Sequence, residues 1–114
     1  MQGMHVFGEL MSCDPVALTS VNEVMASTKT IIDDAGLTRV SEASHVFANG
    51  GYTFVVCLAE SHLAVHTWVD ERMVTLDVFV CNVVKDQSGV ARQVFDRVSA
   101  LFSPENVHVQ ETKR

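Results

Sequence analysis

Apolar residues follow one another along this chain in two spacings, one typical of strands and one typical of helices. Segments that are rich in β-forming residues, or that alternate apolar with polar ones, predict strands at 4–11, 37–47, 52–59, 63–68 and 73–81. A short last strand is expected at 106–110. Segment 52–59 is almost wholly apolar, which favours a central strand that is buried on both faces.

Two other segments space their apolar residues three or four apart, which predicts helices with one buried face. The first helix begins with the capping box Ser20-Val21-Asn22-Glu23 and ends before Gly36, a residue that is common just after a helix. The second begins at Asp86 or Ser88 and stops at Ser103-Pro104. The expected buried stripes are Val21, Val24, Met25, Thr28, Ile31, Ile32 and Ala35 in the first helix, and Val90, Val94, Phe95, Val98 and Leu101 in the second.

The order of these elements is β-α-β-β-β-β-α-β, with turn signals at Asn49-Gly50-Gly51 and Asp70-Glu71-Arg72. Short links between strands favour antiparallel neighbours. We therefore expect an α+β fold: a two-layer sandwich of a mostly antiparallel sheet with both helices on one face. The opposite face of the sheet has no cover within the chain, so it must be polar or must meet a partner.

Composition narrows the classes of function. The chain has 114 residues, of which 47% are hydrophobic, and this length predicts a single domain over 1–114. Its 8 basic and 14 acidic residues give a net charge of −6, which disfavours binding to nucleic acid or to an anionic membrane. No apolar run approaches the length of a transmembrane helix.

The three cysteines, Cys13, Cys57 and Cys81, form no C-x-x-C pair, so neither a disulfide framework nor a structural zinc site is expected. The N-terminal segment has no basic region followed by an apolar one, which is the pattern of a signal peptide. We therefore expect a cytoplasmic protein that uses no metal.

Polar residues interrupt the apolar strands at Glu60-Ser61-His62 and again at His66. In a purely structural interpretation, Ser61 caps a turn and His66 is a strand histidine with satisfied hydrogen bonds. A Ser-His-acid hydrolase is weakly supported, because no G-x-S-x-G motif surrounds Ser61. A Cys-His nucleophile pair is weaker still, since nothing in the sequence marks which cysteine and histidine would meet.

The block that runs from Leu58 to Trp68, with the pattern E-S-H-x-x-x-H-T-W, closely resembles the self-processing segment of the prokaryotic S-adenosylmethionine decarboxylases. Asp77-Val78-Phe79-Val80-Cys81 resembles the second motif of the same family. Gly3-Met4-His5, followed by Glu9-Leu10-Met11-Ser12-Cys13-Asp14, resembles its opening. The likeness therefore covers most of the chain, in order and with compatible spacing.

The resemblance implies that the protein makes its own cofactor. In the family, the serine that matches Ser61 attacks the carbonyl of the preceding residue, here Glu60, and becomes a pyruvoyl group that forms a Schiff base with the substrate amine. The products would be an upstream chain 1–60 and a pyruvoyl-bearing chain 61–114. Neither pyridoxal phosphate nor a metal is implied.

Further roles are carried over by position. His66 matches the family's processing base, and Thr53 matches a hydroxyl residue that assists the acyl shift. Cys81 matches the proton donor of turnover, with a small buried strand residue as the purely structural alternative. Phe47 and Trp68 match the aromatic residues that stack on the substrate adenine. Cys13 matches a position without a catalytic role, and Cys57 falls in a run where the family is usually aliphatic, so we expect it in the core.

Three departures concern the substrate. The family pattern T-W-P-E reads Thr67-Trp68-Val69-Asp70 here, so Asp70 is one methylene shorter than the glutamate that holds the ribose, and Glu71 is a candidate substitute. Phe54 stands where a small residue is usual, and Asn82 stands where glycine is usual. The substrate is then S-adenosylmethionine, in spermidine biosynthesis, or a basic amino acid such as ornithine or arginine, with Phe54 filling the space of the adenosine.

A third interpretation is a non-catalytic homologue that serves as a binding subunit; the retention of the three reactive residues argues against it. The family's prokaryotic members assemble from two protomers. We therefore expect a homodimer, which would be (αβ)₂ after cleavage, with the uncovered sheet face as its contact surface.

Overall fold

Six antiparallel strands form one sheet within the part of the chain that the computed structural model describes, residues 2–81 and 88–114. The strands are β1 Gly3–Met11, β2 Arg39–Val46, β3 Tyr52–Leu58, β4 Ser61–Trp68, β5 Met73–Cys81 and β6 Asn106–Lys113. Their order across the sheet is β2-β3-β4-β5-β1-β6. The helices are α1 Val21–Asp34 and α2 Ser88–Ala100, with a short 3₁₀ turn at Ala17–Thr19. The predicted α+β sandwich is confirmed.

Both helices pack on the same face of the sheet, which we call the covered face. Burial alternates along β3, β4 and β5, whose buried residues point to this side and include Leu63 and Val65 of β4. The helices contribute Val24, Ile31 and Ile32 from α1 and Ala91, Val94, Phe95 and Val98 from α2 to the same core. The predicted apolar stripes of the helices are therefore largely confirmed. The other side of the sheet, which we call the open face, has no helix over it within the described residues.

The prediction that segment 52–59 is buried on both faces is wrong. Burial alternates along β3, where Phe54 and Val56 are buried but Val55 is 38% exposed. Cys57 is also exposed, so its expected place in the core is wrong as well. Because the helices cover only one side of the sheet, an apolar strand residue of the opposite parity is left on the open face.

Strand ends also differ from the sequence prediction. β4 begins at Ser61 rather than at residue 63, β6 continues to Lys113, and β2 begins at Arg39. All residues of β2 are exposed, and the strand lies at the edge of the sheet beside β3. An edge strand with little burial needs no regular apolar pattern, which accounts for its weak signal in the sequence.

Ser20 does precede the first helix, but its predicted capping box does not form. Its hydroxyl instead donates a 2.6 Å hydrogen bond to the carbonyl of Val16, because the short 3₁₀ turn brings that carbonyl within reach. Gly36 follows α1 with a φ of +80°, the left-handed conformation expected of a residue after a helix. The alternative start of α2 at Asp86 lies outside the described residues.

Candidate active site

The tight turn Ala59-Glu60 joins β3 to β4 and places Ser61 at the first position of β4. Ser61 lies opposite Leu58 on one side and Val80 on the other, and it is half-buried. Its φ is +155°, a backbone region that residues with a side chain rarely adopt. Such conformations cost about 1–3 kcal/mol, and they concentrate at functional sites. The backbone at Ser61 is therefore strained, and the sheet on both sides holds it in place.

Glu60, which precedes this serine, is held at both its backbone and its side chain. Its carbonyl oxygen accepts a 2.9 Å hydrogen bond from the backbone N–H of Cys81. Its carboxylate accepts a 3.0 Å bond from the backbone N–H of Thr38, at the entry to β2. The carbonyl next to Ser61 is thus polarised by a donor in a fixed position, as an oxyanion site requires. The sequence shows no sign of this donor, because any residue supplies a backbone N–H.

Thr53 and His66 meet on the open face. They are directly opposite each other on β3 and β4, and the Thr53 hydroxyl lies 2.9 Å from Nδ1 of His66. Both side chains are half-buried, so water is partly excluded from the pair. A hydroxyl that engages Nδ1 fixes the ring orientation and leaves Nε2 free to exchange a proton with a third group.

A cavity of about 510 Å³ opens beside this pair. Its lining residues are Phe47, Ala48, Asn49, Thr53, His66, Thr67, Trp68, Val69, Asp70 and Glu71. Phe47 and Trp68 are 49% and 46% exposed, which is unusual for rings of this size unless they face a ligand or a partner. The indole N–H of Trp68 donates a 3.4 Å bond to the hydroxyl of Thr75. The structure therefore brings together all of the residues that the resemblance assigned to substrate binding.

Phe54 does not belong to this cavity. It is fully buried on the covered face, where its ring stacks on Tyr52 with the centroids 6.0 Å apart. Neighbouring strand residues point to opposite faces, so Phe54 cannot enter a site built around Thr53 on the open face. The idea that Phe54 fills the space of an adenosine is therefore wrong.

The predicted site residues form two groups rather than one. We call Glu60, Ser61 and Cys81 the cleavage end, and we call the lining of the 510 Å³ cavity, with Thr53 and His66, the cavity end. Ser61 and His66 stand five positions apart on one continuous strand, which corresponds to about 16 Å at roughly 3.3 Å per residue. Within one chain, His66 therefore cannot act on Ser61.

A third group on the open face was missed by the sequence reasoning. One oxygen of the Asp77 carboxylate lies 2.8 Å from Nε2 of His5 and 3.3 Å from Nε2 of His62. These two hydrogen bonds link β1, β5 and β4 at the end of the sheet where Ser61 lies. All three residues stand in the motifs quoted above, so the signal was present, but no role was attached to them.

The three cysteines have different surroundings. Cys13 is fully buried, and this burial raises the pKa of its thiol, which donates to the carbonyl of Leu10. A buried neutral thiol is unreactive, in line with the expectation of no catalytic role for Cys13. Cys81 is half-buried at the end of β5, where its backbone N–H already contacts the Glu60 carbonyl.

Two general features of the described residues concern metals and membranes. Among residues 2–81 and 88–114, no group of three or more His, Cys, Asp or Glu side chains is arranged to hold a metal ion. No helix within those ranges is long and apolar enough to span a membrane.

A small α+β sandwich that combines a strained serine, an oriented histidine, a cysteine and a cavity with exposed aromatic rings has the components of an enzyme. The model of the S-adenosylmethionine decarboxylase family matches residues 4–114. The chain therefore belongs to that family, which consists of carboxy-lyases.

Individual relatives agree with this assignment. The chain is 30% identical over 112 residues to the S-adenosylmethionine decarboxylase proenzyme of Picrophilus torridus, covering 98% of this chain and 83% of the relative. It is 32% identical over 108 residues to the proenzyme of Pyrobaculum arsenaticum, covering 94% of this chain and 83% of the relative. The crystal structure of the adenosylmethionine decarboxylase from Aquifex aeolicus superposes with a TM-score of 0.87 at 28% identity, over 98% of this chain and 89% of that one.

Proposed function

We propose that this protein is a pyruvoyl-dependent S-adenosylmethionine decarboxylase that cuts its own chain between Glu60 and Ser61 and serves spermidine biosynthesis. The observation that carries the proposal is the Glu60 carbonyl, which the Cys81 N–H holds at 2.9 Å next to a serine with a φ of +155°. A cytoplasmic location remains part of this proposal.

In the proposed cleavage, the Ser61 oxygen adds to the carbonyl carbon of Glu60, and the charge that develops on the carbonyl oxygen is stabilised by the Cys81 N–H. The C–N bond breaks, the nitrogen takes up a proton, and an ester joins Glu60 to Ser61. A base then removes the α-proton of Ser61, and Glu60 leaves as a carboxylate. Water hydrolyses the resulting dehydroalanine, releasing ammonia and leaving the pyruvoyl group on the chain 61–114.

The base in this scheme has to come from a second copy, because His66 of the same chain is about 16 Å away along β4. In the dimer that we propose, a two-fold axis through the open face would bring the cavity end of one protomer to the cleavage end of its partner. The same contact would cover the open face, which no helix covers within the described residues. We therefore propose a homodimer, (αβ)₂ after cleavage, in which each active site takes its cleavage end from one copy and its cavity end from the other.

The residues present fit a pyruvoyl group at position 61, since the serine is half-buried and the backbone around it is fixed by β3 and β5. When formed, this group supplies a carbonyl that withdraws the electron pair released as the substrate loses its carboxylate. Cys81 then returns a proton to the substrate carbon. Phe47 and Trp68 flank a flat base, and Asp70 accepts hydrogen bonds from ribose hydroxyls.

A basic amino acid such as ornithine or arginine is the second candidate substrate. The observation in its favour is the pair Asp70 and Glu71, two carboxylates on the rim of one cavity that could hold a distal cation. The two exposed aromatic rings favour S-adenosylmethionine, because they bind a planar base better than a flexible amine. A non-catalytic homologue would not cut itself.

Intact mass spectrometry of the purified protein tests the proposal directly. Wild type should give two chains that end and begin at the Glu60–Ser61 bond, and the downstream chain should react with phenylhydrazine through its new carbonyl. Ser61→Ala should remain a single chain, because no hydroxyl is present for the acyl shift. CO₂ release from S-adenosylmethionine, ornithine and arginine at equal concentration then identifies the substrate. A wild-type protein that stays uncut and has no reactive carbonyl would disprove the proposal.

A further inference from the structure

Three motif residues have no part in the mechanism above: His5, His62 and Asp77. Each comes from a different motif of the sequence: the opening, the E-S-H block and the D-V-F-x-C block. The structure joins them in one cluster, in which a single oxygen of Asp77 faces Nε2 of both imidazoles at 2.8 Å and 3.3 Å. A carboxylate only accepts hydrogen bonds, so both rings must donate to it from Nε2.

Phe79 gives this cluster a fixed frame. Its ring centroid is 5.9 Å from that of His5 and 5.9 Å from that of His62. The strand register accounts for these contacts, since Phe79 lies directly opposite His62 on β4 and directly opposite His5 on β1. The three polar side chains are 21% to 44% exposed, so they are partly withdrawn from water. Each imidazole is therefore held both by a hydrogen bond and by ring packing.

The cluster matters because His62 directly follows residue 61; this inference rests on the proposed function. In the intact chain, peptide bonds hold residue 61 on both sides. After cleavage, residue 61 becomes the free end of β4, and His62 is the first complete residue behind it. His5 then belongs to the upstream chain, while His62 and Asp77 belong to the downstream chain. The cluster thus ties the new end of β4 to its own chain and to the other one.

We propose that Asp77 is a positioning residue for turnover, which acts through His62 to hold the group at position 61 in place after the chain has been cut. Chain cleavage and decarboxylation both take place at residue 61, but they should depend on Asp77 to different degrees. Cleavage should depend little on Asp77, because the uncut backbone already fixes Ser61. Decarboxylation should depend on it strongly, because the reacting group then sits on a free strand end.

The test compares Asp77→Ala with wild type in both steps. We expect Asp77→Ala to cut itself at the wild-type rate and to lose about 10- to 100-fold in kcat, with a smaller change in KM, since misplacing a reacting group by about 1 Å costs this much. Asp77→Asn keeps an acceptor oxygen at the same place and should recover part of the loss. Asp96→Ala is the matched control, because Asp96 is an exposed carboxylate on α2 that accepts a 2.9 Å hydrogen bond from Arg92, away from the open face.

Two further measurements are specific to positioning. Amide hydrogen exchange at residues 62–64 should be faster in cut Asp77→Ala than in cut wild type. The same substitution in an uncut Ser61→Ala background should leave this exchange unchanged. The double variant Asp77→Ala/His62→Gln should lose no more kcat than the larger single loss, because both changes break the same link.

Equal losses in cleavage and turnover, an unchanged kcat, or additive losses in the double variant would each overturn the positioning role. If Asp77→Ala does not fold, Asp77→Asn takes its place, with a smaller loss expected in the same direction. Failure of the proposed function would look different, since wild type itself would then lack a carbonyl that reacts with phenylhydrazine.

Discussion

Mixed dimers of Ser61→Ala and His66→Ala chains test whether one active site takes residues from two copies. Ser61 and His66 are about 16 Å apart on one strand, whereas a general base must come within about 3 Å of the proton that it removes. If each site takes Ser61 from one copy and His66 from the other, a mixed dimer has one site with both native residues and one site with neither. Random pairing makes about half of the dimers mixed, so about one quarter of all sites are native.

The assay is intact mass spectrometry of mixed dimers purified through two different tags. We expect the chain that carries His66→Ala to be cut, although it is cut slowly or not at all alone, while its Ser61→Ala partner stays whole. The matched control pairs wild type with a chain that carries both substitutions, where neither site is complete and cleavage should stall. If the His66→Ala chain stays whole in the first pairing and wild type is cut normally in the second, His66 acts within its own chain.

Three other substitutions have defined outcomes. Cys81→Ala keeps the backbone N–H that holds the Glu60 carbonyl, so it should be cut normally but lose about 10²- to 10⁴-fold in CO₂ release; wild-type turnover would remove Cys81 from the mechanism. Tyr52→Phe should lower the free energy of unfolding, measured in urea, by about 1–2 kcal/mol, because it removes the 2.8 Å hydrogen bond that the buried Tyr52 hydroxyl donates to the Ala17 carbonyl. Burial raises the pKa of this hydroxyl, so it is a neutral donor. An unchanged midpoint of unfolding would contradict this expectation. Asp70→Glu should raise CO₂ release from S-adenosylmethionine by restoring reach to the ribose, and a decrease would argue against that role.

The fold could be predicted from the sequence where burial imposes a regular spacing. The stripe on α1 and the alternation in β4 and β5 come directly from having one covered side, so the apolar pattern identified these elements. The apolar pattern predicted strand ends less well where burial is weak, as in β2, all of whose residues are exposed.

Side-chain partners were less accessible than the elements themselves. The Ser20 hydroxyl has two acceptable uses near a helix start, and the choice depends on where the Val16 carbonyl lies in space. Cys57 was assigned to the core because its neighbours are apolar, but a strand covered on one side leaves every second residue outside. Both predictions failed because the hydrogen-bond partner of Ser20 and the exposure of Cys57 depend on how the chain packs in three dimensions, and the local sequence does not show this.

The site shows the same division. Contiguous motifs pointed to Ser61, His66 and Cys81, but the distance between the first two depends on β4 being a single unbroken strand. The His5–Asp77–His62 cluster joins residues 72 and 15 positions apart, so only the sheet order brings it together. The proposed oxyanion donor is the backbone N–H of Cys81, and a backbone group cannot be recognised from the sequence.

The sheet order also explains how a domain can be cut in its central hairpin and stay folded, as the proposed function requires. The upstream chain would keep β1, β2 and β3, and the downstream chain would keep β4, β5 and β6. β1 lies between β5 and β6, so one upstream strand is hydrogen-bonded on both sides by the downstream chain. β3 pairs with β4 across the cut, and the core draws on both chains. Separating the chains would therefore break three strand pairings and open the core, whereas the cut itself breaks only the Glu60–Ser61 peptide bond, between β3 and β4.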